Sequence, residues 1–418
     1  MSGDSYEWAT PRVSPVRLRP QQVSVRDRIL DRSSPLRQLD WWLMIAVSAL
    51  VAIGGLLIWS ATRENQMAKG LDPQAFLKKH VINAVIGLAL GTVTALFDYR
   101  ALRAYAPVVY GASCLGLLIV LSPIGATING AHSWIVLPAG FQIQPSEFAK
   151  LAIVVGMAML LGEKRDGEDA PRDVDVLQVL ALCALPMALI MLQPDFGTTM
   201  VFIFVILGVL SVAGAPARWV GGLLLAGVLV GGLVAPHVLK DYQLNRFKVV
   251  SNPSIDPRGV GYNVRQARIA IGSGGLTGKG LFHGTQTQGR FIPEQQTDFV
   301  FTVAGEELGL VGAGGIILLL GLVLWRGLRI ASLATDPFGR LVAAGVVSWF
   351  GFQSFVNIGM TLGIMPVTGL PLPFISYGGS SMFANLMAVG LLQNVHMRSH
   401  ESGPRFADAS RGNVRLGV

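Results

Sequence analysis

Residues 278–325 read GKGLFHGTQTQGRFIPEQQTDFVFTVAGEELGLVGAGGIILLLGLVLW, a polar, glycine-rich stretch that runs directly into an apolar one. From Phe299 onward the apolar run is long enough to cross a bilayer, which takes about 20 residues. The carboxylate of Asp298 stands at its mouth. Hydrocarbon penalises an ionised side chain by about 3 kcal/mol or more, so an acid entering a span marks a candidate functional site. Thr297-Asp298 before an apolar run is also an ordinary helix start, and from spacing alone both readings stand.

Similar apolar runs recur along the chain, at about residues 41–61, 81–98, 104–122, 147–162, 174–192, 196–214, 217–238, 340–365 and 380–397, which with 299–325 makes ten expected spans. Composition agrees: 51% of the 418 residues are apolar, only 14% are charged, and mean hydropathy is +0.53. That balance belongs to a polytopic membrane protein rather than to two or three soluble domains. The 50 glycines suit a bundle whose helices approach closely. The expected fold is therefore an all-α membrane bundle. A tail (1–40) is followed by a transmembrane domain (41–397) and a second tail (398–418), with both tails disordered.

Positive charge orients the bundle. Arg12, Arg17, Arg19, Arg26, Arg28, Arg32 and Arg37 lie in the first tail, and Arg100, Arg103, Lys164, Arg165, Arg172, Arg218, Arg326, Arg329 and Arg340 in alternate connections. Residues 123–145 and 366–379 hold no Lys or Arg. Both termini are expected on the cytoplasmic side of the membrane, with Arg63, Lys69, Lys78 and Lys79 of the first loop the exception. The tail lacks an apolar signal region, so the first span should act as its own insertion signal. The net charge of +8 is thus a topology signal, and no nucleic-acid partner is expected. Residues 239–297 become one long external loop. Its eight basic residues, Lys240, Arg246, Lys248, Arg258, Arg265, Arg268, Lys279 and Arg290, outnumber Asp241, Asp256 and Glu294 for a net charge of +5, suited to an anionic ligand or to lipid headgroups.

Other patterns narrow the chemistry. Gly272 to Gly280 misses a phosphate loop twice, at Ser273 and at Gly280. Cys114 and Cys183 sit in apolar runs, and the six histidines show no metal-ligand spacing. Glu147 and Lys150 open a span on one helical face and should face the bundle interior. Asp195, in the QPDFGT turn, either caps the next helix or joins them in an internal Glu147–Lys150–Asp195 cluster. Residues 366–381, PVTGLPLPFISYGGSS, read as a structured loop beside the site, because irregular backbone at membrane depth must be buried in protein or line a cavity. Trp134 is an interfacial anchor or a sugar-stacking platform.

In order, GAHSWI (130–135), QPSEFAKL (144–151), QPDFGT (193–198), IAIGSGGLTGKG (269–280), GTQTQGRFIPEQQTDF (284–299), EELG (306–309), VNIGM (356–360) and GLPLPFISYGGSS (369–381) resemble the SEDS family (shape, elongation, division and sporulation). The FIPE spacing and the VNIGM segment look more like its elongation branch, RodA, than its division branch, FtsW. The resemblance implies a ten-span peptidoglycan glycosyltransferase of the bacterial plasma membrane that polymerises lipid II outside the membrane, releases undecaprenyl diphosphate and works with a class B penicillin-binding protein. It implies Asp298 as general base, Glu147, Lys150, Asp195, Trp134, Lys279 and Gln286 as substrate-binding residues, and a divalent cation (Mg or Mn). Gln296 stands where many relatives carry His, so no proton-transfer role is placed on it. The rival functions are a lipid II flippase and a scaffold that recruits a synthase.

Overall fold

The computed structural model describes residues 38–128, 131–136, 142–163, 170–234, 237 and 241–401. Most of both tails therefore lies outside the described residues. The unit from Asp40 onward is built on helices α1 (Trp41–Ala68), α2 (Ala75–Leu96), α3 (Tyr99–Leu121), α4 (Pro145–Leu161), α5 (Asp173–Leu192), α6 (Phe196–Val212) and α7 (Ala217–Leu229). After them come α8 (Asp241–Ser251), α9 (Val260–Ser273), the single turn α10 (Thr285–Gln288), α11 (Val300–Glu307), α12 (Gly309–Leu333), α13 (Pro337–Leu362) and α14 (Gly379–Glu401).

Among the described residues, six helices are long and apolar enough to cross a bilayer: α1, α2, α3 from Ala101, α5, α12 and α13. Phe196–Val212 and Ala217–Leu233 are apolar but shorter. Helices α4 and α14 are mostly buried against other helices, which frees them from an unbroken apolar surface. The amide of Asn394 in α14, for example, donates to the carbonyls of Thr94 (3.1 Å) and Ala95 (2.8 Å).

Two expectations are revised. The segment 239–297, expected as one long external loop, holds helices α8, α9 and α10, and its Val249, Val264 and Ile292 pack with Phe299, Met360 and Val367 in a second small core. The stretch between α3 and α4 holds a three-stranded antiparallel sheet, β1 (Ala126–Ile128), β2 (Ala131–Val136) and β3 (Gln142–Ile143). It pairs Ala126 with Trp134 and Ile135 with Ile143.

The expected span 299–325 is also broken. Helices α11 and α12 meet at Leu308, and Gly309 takes a left-handed φ of 65°. The glycine-rich loop returns into that break: Leu310 and Val311 donate their N–H groups to the carbonyls of Gly275 (2.9 Å) and Leu276 (3.0 Å). A side chain at Gly278 would put Cβ 2.1 Å from the Glu307 carbonyl oxygen. The glycines that fail as a phosphate loop thus let two backbones touch.

On the expected cytoplasmic side Asp40 caps α1, accepting from Leu43 N (3.1 Å), and binds Arg326 of α12 at 2.6 Å. Gln393 of α14 meets the Asp40 backbone with both ends of its amide. Helices α2 and α14 cross where Gly91 faces Gly390, and a Cβ on Gly390 would lie 2.2 Å from the Gly91 carbonyl oxygen. Small residues at such a crossing allow the backbone approach that holds membrane helices together. Gly390→Ala should therefore lower the melting temperature of the purified protein by the equivalent of about 1–3 kcal/mol of overpacking. Gly111→Ala, whose added Cβ meets nothing within 4 Å, should leave it unchanged.

Candidate active site

Lys150 is completely buried and needs partners inside the protein. Its ammonium donates to Glu147 Oε1 (2.8 Å) and to Gln353 Oε1 (3.1 Å) and lies 4.7 Å from the centre of the Trp349 ring. The i,i+3 spacing in α4 makes the first contact; the other two come from α13. Gln353 also accepts from Trp349 Nε1 (2.6 Å) and donates to the Pro371 carbonyl (2.7 Å).

Asp195 stands apart from this cluster. Its carboxylate caps α6, accepting from Thr198 N (3.0 Å) and Thr198 Oγ1 (2.8 Å), and receives Gln144 Nε2 at 3.3 Å. It forms no ion pair with Lys150; Gln353 occupies the place that a second acid was expected to fill. Gln144 N in turn donates to Ser380 Oγ (2.9 Å), which donates to Gln142 O (3.1 Å). The small sheet carrying the partly exposed Trp134 is therefore tied to the start of α14.

Asp298 is fixed through its backbone. Its N–H donates to the Glu294 carbonyl at 3.2 Å, and its own carbonyl accepts from Asn357 Nδ2 at 3.0 Å. Neighbouring carbonyls are pinned too: Ser376 Oγ donates to Thr297 O (2.6 Å), and Tyr377 N donates to Gln296 O (2.8 Å). Arg290 and Glu294 both adopt φ of 55°, a left-handed conformation costly for residues with side chains, so the chain turns sharply before delivering the acid. Phe299, not Asp298, is the N-cap of α11, and no side chain caps that helix. The helix-start reading of Asp298 is thereby set aside. Asp298 is half-buried, and desolvation by the surrounding protein raises its pKa from the usual 3.8 to about 6. The Glu294 carboxylate adds to the rise, while Arg246 and the Thr297 hydroxyl oppose it.

Lys279 and Gln286 belong to a different arrangement. Glu306, fully buried in α11, binds Lys279 Nζ (2.8 Å) and accepts from Gln286 N (2.9 Å), Thr287 N (2.9 Å) and Thr287 Oγ1 (2.8 Å). The neighbouring Glu307 accepts from Ser60 Oγ of α1 at 2.6 Å. Lys279 therefore has its charge met inside the protein, and the GTQTQ turn is folded around a resident carboxylate. Arg268 is also engaged, donating to the carbonyls of Leu362 (2.9 Å) and Gly363 (3.0 Å) at the end of α13. Among the described basic residues of this segment, the charge of Arg246 acts on Asp298.

Gln353, Asn357 and Ser376 were missed as site residues. The available signal was two amides four residues apart within an apolar span, a spacing that puts both on one helix face. Among the described residues no group of three or more His, Cys, Asp or Glu converges to hold a metal ion. Both cysteines are free and buried.

The chain matches the family model FTSW_RODA_SPOVE, described as cell cycle protein, over residues 40–401. A probable peptidoglycan glycosyltransferase FtsW of Geobacter metallireducens is 37% identical over 364 residues, spanning 87% of this chain and 96% of that one. The peptidoglycan glycosyltransferase MrdB of Escherichia coli K12 is 36% identical over 362 residues, spanning 86% and 93%. Among solved structures, a chain from a peptidoglycan synthase complex that coordinates polymerization and crosslinking superposes with a TM-score of 0.73 at 35% identity, covering 87% of this chain and 99% of that one.

Removing one partner of a buried ion pair leaves an uncompensated charge, which costs about 3–5 kcal/mol. Lys150→Met should lower the melting temperature accordingly, and Glu147→Gln combined with Lys150→Met should recover part of the loss. Thermal unfolding of the parent and the two purified variants measures both effects.

Proposed function

The chain belongs to the FtsW/RodA/SpoVE family, and from that premise we propose that it is a peptidoglycan glycosyltransferase that polymerises lipid II, with Asp298 as its general base. One observation supports this role above the others. The backbone of Asp298 is held by hydrogen bonds on both sides, while its carboxyl group caps no helix and forms no ion pair among the described residues. Glu147, Asp195 and Glu306 are all committed to internal partners.

The carboxylate accepts the proton of the acceptor's GlcNAc 4-hydroxyl as that oxygen bonds to the anomeric carbon of the lipid-linked donor. The bond from that carbon to the diphosphate breaks, and undecaprenyl diphosphate leaves. A pKa near 6 suits a general base, since the group is mostly ionised at neutral pH and remains a competent proton acceptor. Arg246 is the candidate to face the departing diphosphate. Because no protein cage for Mg or Mn is formed by the described residues, we place any such cation on the diphosphate of the substrate, and no step here depends on it.

The helices that could span a bilayer and the family membership make the chain a multi-pass membrane protein. The charge pattern supports an active site facing outside. A class B penicillin-binding protein is the proposed partner, supported by the structural likeness to a member of a peptidoglycan synthase complex. The elongation role is proposed on the FIPE and VNIGM motifs; relatives named for FtsW and for MrdB match this chain almost equally.

Purified protein reconstituted with its partner and given lipid II should make glycan polymer, and Asp298→Asn should abolish it while folding is retained. Normal polymer from Asp298→Asn, with altered transbilayer movement of lipid II, would instead favour a flippase. Turnover should rise with pH through about 6 as Asp298 ionises. Stability should show the opposite sign. A folded-state pKa above the unfolded value means that the fold binds this proton more tightly, so its contribution is lost as pH rises from about 4 through 6. Asp298→Asn should therefore be at least as stable as the parent at neutral pH, as removal of a costly functional group commonly is.

A further inference from the structure

Gln353 and Asn357 stand one turn apart on α13, and both are completely buried. Each amide works in two directions. Gln353 accepts from Lys150 at 3.1 Å and donates to the Pro371 carbonyl at 2.7 Å. Asn357 donates to the carbonyls of Asp298 (3.0 Å) and Leu370 (2.7 Å). Residues 370 and 371 are consecutive, so both amides seize the same short piece of irregular backbone. Farther along that loop Ser376 accepts from Leu372 N (2.8 Å) and donates to Thr297 O (2.6 Å). A connected set of hydrogen bonds therefore runs from the Glu147–Lys150 pair on α4, through α13 and the 370–376 loop, to the carbonyls of Thr297 and Asp298 that flank the Asp298 Cα.

We propose that Gln353 and Asn357 are positioning residues that register the backbone of Asp298 against the buried Glu147–Lys150 pair, using the 370–371 segment as a shared rail. The proposal rests on Asp298 being the base. It differs from a role in stability alone because it depends on the donor hydrogens of each amide rather than on the filling of space.

Gln353→Glu keeps an acceptor for Lys150 and Trp349 but removes the donor to Pro371. If Gln353 only serves Lys150, the variant works as the parent does. If it acts through the rail, kcat for lipid II polymerisation by the full chain with its partner should fall about 100-fold, the scale of a misplacement near 1 Å. KM should change little. Asn357→Ala should give a similar loss, and the double variant should lose little beyond the worse single one, because both act on one segment. Parent-like kcat in Gln353→Glu, or losses that multiply in the double variant, would overturn the proposal. Should the amide variants fail to fold, Ser376→Ala severs the same chain at the loop and should still lower kcat about tenfold with KM kept; no change would equally overturn it. Asp298→Asn, run alongside, separates the two ideas. An active Asp298→Asn removes the base assignment, whereas an inactive one beside multiplicative losses removes only the rail.

Discussion

An ammonium group fully enclosed by protein has no water to fall back on, and Lys150 sets the terms for the centre of this molecule. It must be met by an anion and by further hydrogen-bond acceptors, or the cost of burying it exceeds what packing returns. Glu147 supplies the charge from one turn away on the same helix. The remaining contacts can come only from another helix, and α13 provides them with the face of Trp349 and the amide of Gln353. Once Gln353 is committed to Lys150, its other end fixes Pro371. The irregular loop that follows then has a defined path past Asp298.

The same logic of satisfying buried polar groups shapes the neighbouring loop. Glu306 lies inside the protein with five donors from residues 279–287 gathered on its carboxylate. That carboxylate does for the GTQTQ turn what a bound anion does for a nest of backbone N–H groups. The break between α11 and α12 makes room for this turn, and Gly278 and Gly309 permit the close approach. A span that looks continuous by hydropathy is therefore two helices joined at the point where the glycine-rich loop folds back.

Asp298 contrasts with the acids committed inside the bundle. Glu147, Asp195 and Glu306 are spent on an ion pair, a helix cap and a loop anchor. Asp298 is held by its main chain, and its carboxyl group sits where ionisation is resisted. Placing a partly desolvated acid on a hydrogen-bonded backbone costs some stability and raises its pKa to about 6, the property that the proposed general base requires.

Hydropathy along the chain was enough to dictate the membrane bundle, since runs of about 20 apolar residues admit few other folds, and it singled out Asp298 because an acid at the mouth of such a run demands a reason. Local spacing also settled the Glu147–Lys150 contact, because residues at i,i+3 are neighbours on one helix. Packing between distant segments was needed to make Asp195 a cap for α6 while Gln353 completes the shell of Lys150, and to turn Lys279 toward Glu306. Residues 150 and 353, or 298 and 357, are brought together by helix packing and a loop with no regular period, so no local pattern encodes their meeting. The strands around Trp134 escaped for a related reason: three short segments paired across a loop leave too little alternation to distinguish them from a turn.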